Sequence, residues 1–551
     1  MDSQKTQEVD KTIYDVAHES LKEKESVRTK TIREFDSLVA KTCRPHVGKV
    51  LDAASAIVIL QELRQLVEEE LKSLVQRFSR MRWLWYLRRM PLSSIFVGKL
   101  KSTIGYDTNL LEVLCGYAPA EQNQPTMPLT YPVNTNDIRR CLQLCYGIQY
   151  LSQLHVFLRF AGKGASIKFA NVGPVESKVD NATKDGIRLY DKRLENSGIP
   201  MNRLGTFVNS EINKELSLFP YFRLEEPEFL GPLFAEDFKT AEVLSNCCPR
   251  PISLAGLSEF ARNPALSAIQ FLDYRASSLL ILLLSLPKLL PQLDAAPRTL
   301  MKNGYFILSN ELLSQGAEWA FDEAAQSLRE ISGNIPVPAS ATLVLQELKN
   351  MSPRLWPIDY PSPLIPVGTD GVCCDVVGAS IAFLQLCEFP RLEGSAANAR
   401  AAHFELATQA IINQSAYKPS EALEEIRGRT LILKDKKLTD IDAIGAQGDT
   451  LLLIQCKSLV YRDEYDMGET RGILNARATV ENGLREWKKR IKEIEENPIG
   501  DNYDLSEYKN FFPILCTPQP IFVPMGECTE EVLPGLRATC TPQELSDFLD
   551  Y

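Results

Sequence analysis

The stretch LTDIDAIGAQGDTLLLIQCKS, Leu438 to Ser458, allows few conformations. The apolar run Leu451–Ile454 is too short for a helix of ordinary length, and the GAQGD segment before it is rich in turn formers. Two strands joined by a short turn form an antiparallel hairpin, because a parallel return needs a longer crossover. Strand side chains alternate faces, so Asp440 and Asp442 are expected on one face and Gln455 and Lys457 on one face of the next strand. Polar groups so placed in apolar strands converge if the strands are neighbours. The convergence has two readings, a metal site or a wetted sheet face.

At 551 residues the chain exceeds what one hydrophobic core usually serves, so two or three domains are expected. With 44% hydrophobic and 24% charged residues it has the composition of a folded globular protein. The net charge of −10 argues against a globally basic, nucleic-acid-coating surface, while leaving local basic patches open.

The N-terminal MDSQKTQEVDKTIYDVAHES has no apolar signal-peptide core. The most hydrophobic run, Ala276 to Leu286, falls well short of the roughly twenty residues that span a bilayer and reads as a buried helix. No membrane association is expected. Thirteen cysteines without a CxxC pair suit reduced thiols in a cytoplasmic protein. Only His18, His46, His155 and His403 occur, which leaves little for designs built on clustered histidines. No GxxxxGK[ST] loop is present and no GxGxxG follows a strand pattern, so nucleotide hydrolysis is not supported.

Along the chain, residues 1–100 read as a helical N-terminal region and 101–351 as a mainly helical domain whose role the sequence does not indicate. Within the first, RFSRMRWLWYLRR interleaves Arg77, Arg80, Arg82, Arg88 and Arg89 with Trp83, Trp85 and Tyr86. This is either a nucleic-acid grip or, by preference, an amphipathic helix whose tryptophans are core and whose arginines pair with Glu68–Glu70. Five prolines between Ser352 and Gly371 predict an extended connector, so residues 352–388 are read as a Pro-rich connector and helix.

Residues 389–551 follow the order helix, charged turn LKDKK, hairpin strands, basic helix and strand, closing on the capping-box helix TPQELSDFLDY. The first of these helices carries Phe404, Ala407 or Thr408, and Ile411 on one face with Glu405 beside it. Phe404-Glu405, Asp442 and Gln455-Cys456-Lys457 together resemble the PD-(D/E)xK nuclease superfamily, and within it the restriction-endonuclease-like Mrr group. The resemblance covers only this C-terminal part. It implies an α+β multidomain chain, mostly α-helical at the N-terminus, whose C-terminal core is a mixed central sheet flanked by helices.

The resemblance further implies a metal-dependent DNA endonuclease using Mg2+ or Mn2+. Asp442 would anchor the metal, with Gln455 and Glu405 as further ligands, and Lys457 would serve the nucleophilic water or the developing charge. Asp440 is the alternative acid or a supporting one. Glutamine in place of a carboxylate removes a charge, a choice that the Mrr group shares. DNA is the expected partner and RNA a possible one. Phosphate contacts would come from Arg471, Arg477, Arg485, Lys488 and Lys489 on the basic helix, although glutamates alternate with them as on many solvated helices. Such an architecture suits restriction or anti-phage defence, with the N-terminal region sensing a target or binding a protein partner or second copy. The competing reading is a catalytically weakened nuclease fold that binds DNA or protein without cutting.

Overall fold

The computed structural model describes residues 24–90, 92–96, 101–122, 131, 133–197, 217–218, 221–230, 243–249, 252–253, 273–289, 296–331, 336–356, 358–388, 395–459, 465 and 468–550. The chain is mixed α/β. Helices α1 (Lys24–Cys43), α2 (Ala53–Val75), α3 (Arg80–Leu87), α4 (Lys101–Cys115) and α5 (Thr135–Gly162) build the first part. Asp52 caps α2 by accepting the Ser55 N–H, and Leu60, Leu63, Val67, Leu71 and Leu74 then recur at helical spacing on its buried side. A short antiparallel sheet of β1 (Val50–Leu51), β2 (Ser166–Ala170) and β3 (Gly173–Lys178) follows, and then α6 (Asn181–Ser197).

The Arg/Trp helix is α3, and it lies inside the protein: Trp83 and Trp85 are each 1% exposed. Arg80, Arg82 and Arg88 pair with carboxylates other than Glu68–Glu70. Arg88 donates through Nε and Nη2 to Glu112 at 3.0 and 2.8 Å, and its Nη2 also reaches Asp375 at 2.8 Å. Arg82 pairs with Asp137, and Glu68 pairs instead with Arg64. A fully buried guanidinium needs fixed acceptors on several sides, and only residues distant in sequence supply them here.

The next part comprises the hairpin β4 (Tyr221–Leu230) and β5 (Val243–Pro249), α7 (Tyr274–Leu289), α8 (Ala296–Asn303), β6 (Tyr305–Ser309), α9 (Asn310–Ile331) and α10 (Ala341–Lys349). Helix α7 is the apolar run read as a buried helix, and Leu279 to Leu284 are buried along it. Among the described residues, no helix is long and apolar enough to cross a membrane.

The proline-rich segment is not an extended connector. It forms β7 (Leu364–Val367), which pairs with β8 (Gly371–Asp375), and β8 pairs with β6 in a sheet of order β7-β8-β6. Pro366 sits on the edge strand β7, where its missing N–H removes no internal ladder bond. Pro361 lies so close to Gly116 at the end of α4 that a Cβ there would stand 2.4 Å from the proline ring. Helix α11 (Val376–Glu388) closes this core.

The C-terminal part runs α12 (Ser395–Asn413), α13 (Glu421–Ile426), β9 (Thr430–Leu433), β10 (Lys436–Asp440), β11 (Ala443–Gln447), β12 (Thr450–Cys456), α14 (Thr470–Glu496), β13 (Asn510–Cys516), β14 (Glu531–Leu533), β15 (Leu536–Arg537), β16 (Thr539–Cys540) and α15 (Pro542–Leu549). Its central sheet has the order β11-β12-β13-β16, with β11 and β12 antiparallel and the remaining pairs parallel. Period-two alternation in β12 sends Leu452, Ile454 and Cys456 to the core shared with Phe404 and Leu545. Leu451 and Leu453 go to the core shared with Trp487 and Ile491. Helices thus cover both faces, and the Trp487 indole N–H fixes α14 by donating to the Leu453 carbonyl at 2.9 Å.

This layered unit docks on α5 and α6. A Cβ on Gly162 would come within 2.8 Å of Ile473 on α14. Arg193 of α6 grips Glu544 of α15 through two hydrogen bonds of 2.8 and 2.7 Å. Glu544 also completes the capping box with Thr541.

Candidate active site

The hairpin expected from the sequence is β11–β12, turning at Gly448-Asp449, with Gly448 in the left-handed region at φ 60°. Its register pairs Ala443 with Ile454. One further step outward sets Asp442 opposite Gln455, and the Cys456 N–H reaches back to donate to Asp442 Oδ2 at 2.7 Å. Lys457 follows directly, and its own N–H donates to the Cys516 carbonyl at 2.8 Å. Strand pairing therefore holds Asp442, Gln455 and Lys457 at one end of the sheet.

Asp440 and Asp442 do not share a strand face as expected. Asp440 ends β10, which pairs with β9 in a separate two-stranded sheet, and the chain bends at Ile441-Asp442 before β11 begins. Ile441 is fully buried and pulls the chain into the core beneath α14. Asp440 is left exposed while Asp442 is half-buried.

Glu405 comes to the same place from α12. Phe404, Thr408 and Ile412 bury one side of that helix, and Glu405, beside them, is half-buried. The helix is set by Gln409, one turn further on, whose amide donates to the Ile444 carbonyl at 2.9 Å and accepts the Ile444 N–H at 2.8 Å. Because β11 is the edge of its sheet, this side chain acts as a fragment of an additional strand.

Glu405, Asp442 and Lys457 act on one another's charge. Burial raises the Glu405 carboxyl pKa, repulsion from Asp442 raises it further, and Arg427 and Lys457 partly offset the shift. Burial also raises Asp442, against the Cys456 N–H and the Lys457 charge, and Asp440 adds repulsion. Lys457 influences both carboxyls yet makes no direct ion pair with either among the described residues. Its stem lies against α14 where Gly483 has no side chain, 3.5 Å from the point a Cβ would occupy.

Two half-buried carboxyls that repel one another form a cation-seeking site, and Gln455 stands half-buried on the neighbouring strand. Oxygen donors of this kind suit Mg2+ or Mn2+ better than a softer metal. Cys456 faces the core shared with Phe404 and Ile454, and burial raises its thiol pKa. Among the described residues, no group of three or more His, Cys, Asp or Glu side chains is arranged to hold a metal ion by itself. A cation held here would have Asp442 and Glu405 as its protein carboxylates, with water or substrate oxygens completing its shell.

The basic helix expected to grip phosphates is partly self-neutralised. Arg477 pairs with Glu481 at 2.8 Å, Lys488 with Glu527 at 3.7 Å, and Arg485 bonds Asn482. Arg471 and Lys489 are exposed. Sequence reasoning missed Gln409, Arg427 and Arg400, a buried guanidinium on α12 that donates to the Ser458 carbonyl just past Lys457. For Gln409 a signal existed: it stands four residues after Glu405 on the same helix face.

No protein-family model matches the chain, and neither a curated protein nor a solved structure gives a match.

Proposed function

We propose that the C-terminal part is a metal-dependent phosphodiesterase of the restriction-endonuclease-like kind, cutting DNA. The observation that carries this reading is the grouping of Glu405, Asp442 and Lys457, drawn from a helix and the two ends of a hairpin, at one end of a mixed sheet, with Gln455 on the strand that leads to Lys457. The sequence resemblance supports the same assignment. A bound cation would supply charge neutralisation at the phosphate and make a bound water more acidic. Asp442 and Glu405 would hold it, with Asp442 fixed by the Cys456 N–H. Lys457 places a positive charge beside the two carboxyls, where it orients the attacking water or takes up negative charge growing on the phosphoryl oxygens. The helical N-terminal region, docked through α5 and α6, would sense the target.

The neutral Gln455 favours a second reading, a weakened site kept for binding. Lys457→Ala separates the two. Under the nuclease reading, magnesium-dependent cleavage falls at least a hundredfold while DNA affinity and melting temperature change little, because Lys457 is only half-buried and its stem makes a light contact with α14. Unchanged cleavage would remove Lys457 from the mechanism, and DNA binding without cleavage by the wild-type protein would favour the second reading.

A further inference from the structure

The chain carries a net charge of −10, but between Arg427 and Lys437 that sign is inverted: Arg427, Arg429, Lys434, Lys436 and Lys437 stand against Asp435 alone. This segment is the β9–β10 hairpin with the residues leading into it. Arg429, Lys434, Lys436 and Lys437 are exposed, and none takes part in an ion pair among the described residues. Arg427 is already paired with Glu424 at 2.9 Å, as Arg477 and Lys488 of the basic helix are with their own carboxylates.

The turn is held in an unfavourable shape. Lys434 and Asp435 have φ of 51° and 63°, both in the left-handed region that glycine or asparagine adopts more readily. Residues 501–502 hold the hairpin along its outer edge. The Asp435 N–H donates to Asp501 Oδ2 at 2.8 Å, the Asp501 N–H to the Ile432 carbonyl at 2.8 Å, and the Ile432 N–H to Asn502 Oδ1 at 2.8 Å. The lysines therefore stand on a rigid ridge. That ridge leads into the site: β10 ends at Asp440, and Arg427 acts on the charge of Glu405.

We infer that the β9–β10 hairpin is a phosphate-binding ridge that holds duplex DNA across the site, through Lys434, Lys436 and Lys437 with Arg429. The inference rests on the nuclease reading only for its choice of ligand. Lys436 lies about 13 Å along the strand from Asp440, at ~3.3 Å per residue. That is about four base-pair steps of duplex from the site, at ~3.4 Å per step. Contacts of this kind are salt-sensitive and independent of base sequence.

The test compares the full-length wild-type protein with the triple variant Lys434→Asn, Lys436→Gln, Lys437→Gln, in chelator so that nothing is cut. Asparagine tolerates the left-handed turn, so the variant keeps its fold, checked by its melting temperature. A second triple variant, Lys184→Gln, Lys349→Gln, Lys418→Gln, removes the same charge from exposed sites elsewhere. Binding of a fluorescent duplex is followed across salt concentrations. The hairpin variant is expected to lose at least tenfold in affinity at low salt. The slope of log affinity against log salt should fall by about 2 to 3, at ~0.9 per phosphate contact. The remote variant should keep the wild-type slope. Equal slopes for hairpin variant and wild type, the same loss in the remote variant, no duplex binding by any of the three, or a loss seen only with single-stranded RNA would each overturn the inference. Cleavage in magnesium is scored separately. Wild-type cleavage with no hairpin effect leaves the nuclease reading standing, and a hairpin effect without cleavage leaves the ridge standing alone.

Discussion

Gln409 and Ile444 exchange two hydrogen bonds, amide to backbone in both directions, and so fix α12 against the open edge of the central sheet. Glu405 sits one turn before Gln409, and Asp442 two residues before Ile444, so this contact sets the spacing between the two carboxyls. Gln409→Leu keeps the volume but strands both Ile444 groups, at roughly 1–3 kcal/mol for each. The variant is expected to melt earlier, and its apparent magnesium affinity should drop because Glu405 is no longer held in register. A wild-type melting curve with wild-type magnesium dependence would show that the contact positions nothing.

Asp442 and Glu405 impose a pH dependence with a definite sign. Their folded-state pKa values lie above the ordinary 3.8 and 4.5, so in the window upward from those values the folded state binds more protons than the unfolded one. Their contribution to stability is therefore lost as pH rises through that window. Asp442→Asn keeps an oxygen for the Cys456 N–H while removing the repulsion. Without metal at neutral pH it should melt above the wild type, and the difference should close in acid. Added magnesium should raise the wild-type melting temperature and leave the variant unchanged.

Glu544 behaves in the opposite way. Burial opposes its ionisation, but the hydrogen bonds and charge of Arg193, with the Thr541 N–H, outweigh burial and hold its pKa below 4.5. The pair stabilises the docked arrangement above that pH, and the stabilisation is lost as pH falls through the lowered value. Arg193→Met leaves a buried carboxylate without its partner and should destabilise the protein by about 3–5 kcal/mol at neutral pH, less in acid. Urea denaturation at two pH values reads both effects.

Arg88→Met should be as damaging and should leave any nucleic-acid binding by the folded protein unchanged. It abandons Glu112 and Asp375 inside the core, again at about 3–5 kcal/mol. A variant that folds normally but loses DNA affinity would return α3 to the nucleic-acid reading.

What was legible in the sequence was local. The β11–β12 hairpin follows from the apolar run Leu451–Ile454 behind a glycine turn, and the last helix from its capping box. Asp442, Gln455, Lys457 and Glu405 were nameable through the resemblance to the nuclease superfamily, whereas strand alternation alone set Asp440 beside Asp442 on one face. The break at Ile441-Asp442 was not legible, since it depends on Ile441 finding space beneath α14. Nor were the partners of Arg88, which come from α4 and from β8, far along the chain. Proline density suggested an extended connector, but whether an extended segment pairs is decided by the strand beside it, here β8. The role of Gln409 was missed because nothing local announces that β11 is an edge strand.

If Asp442 and its neighbours form the proposed metal-dependent phosphodiesterase site, plasmid cleavage depends on both the metal and that carboxylate. The most direct measurement incubates supercoiled plasmid with wild-type protein and with Asp442→Ala, each in magnesium, in manganese and in chelator. The account predicts nicking or linearisation by the wild type with either metal, none in chelator, and at least a hundredfold loss in the variant. Cleavage that persists in chelator, or equal cleavage by Asp442→Ala, would contradict it.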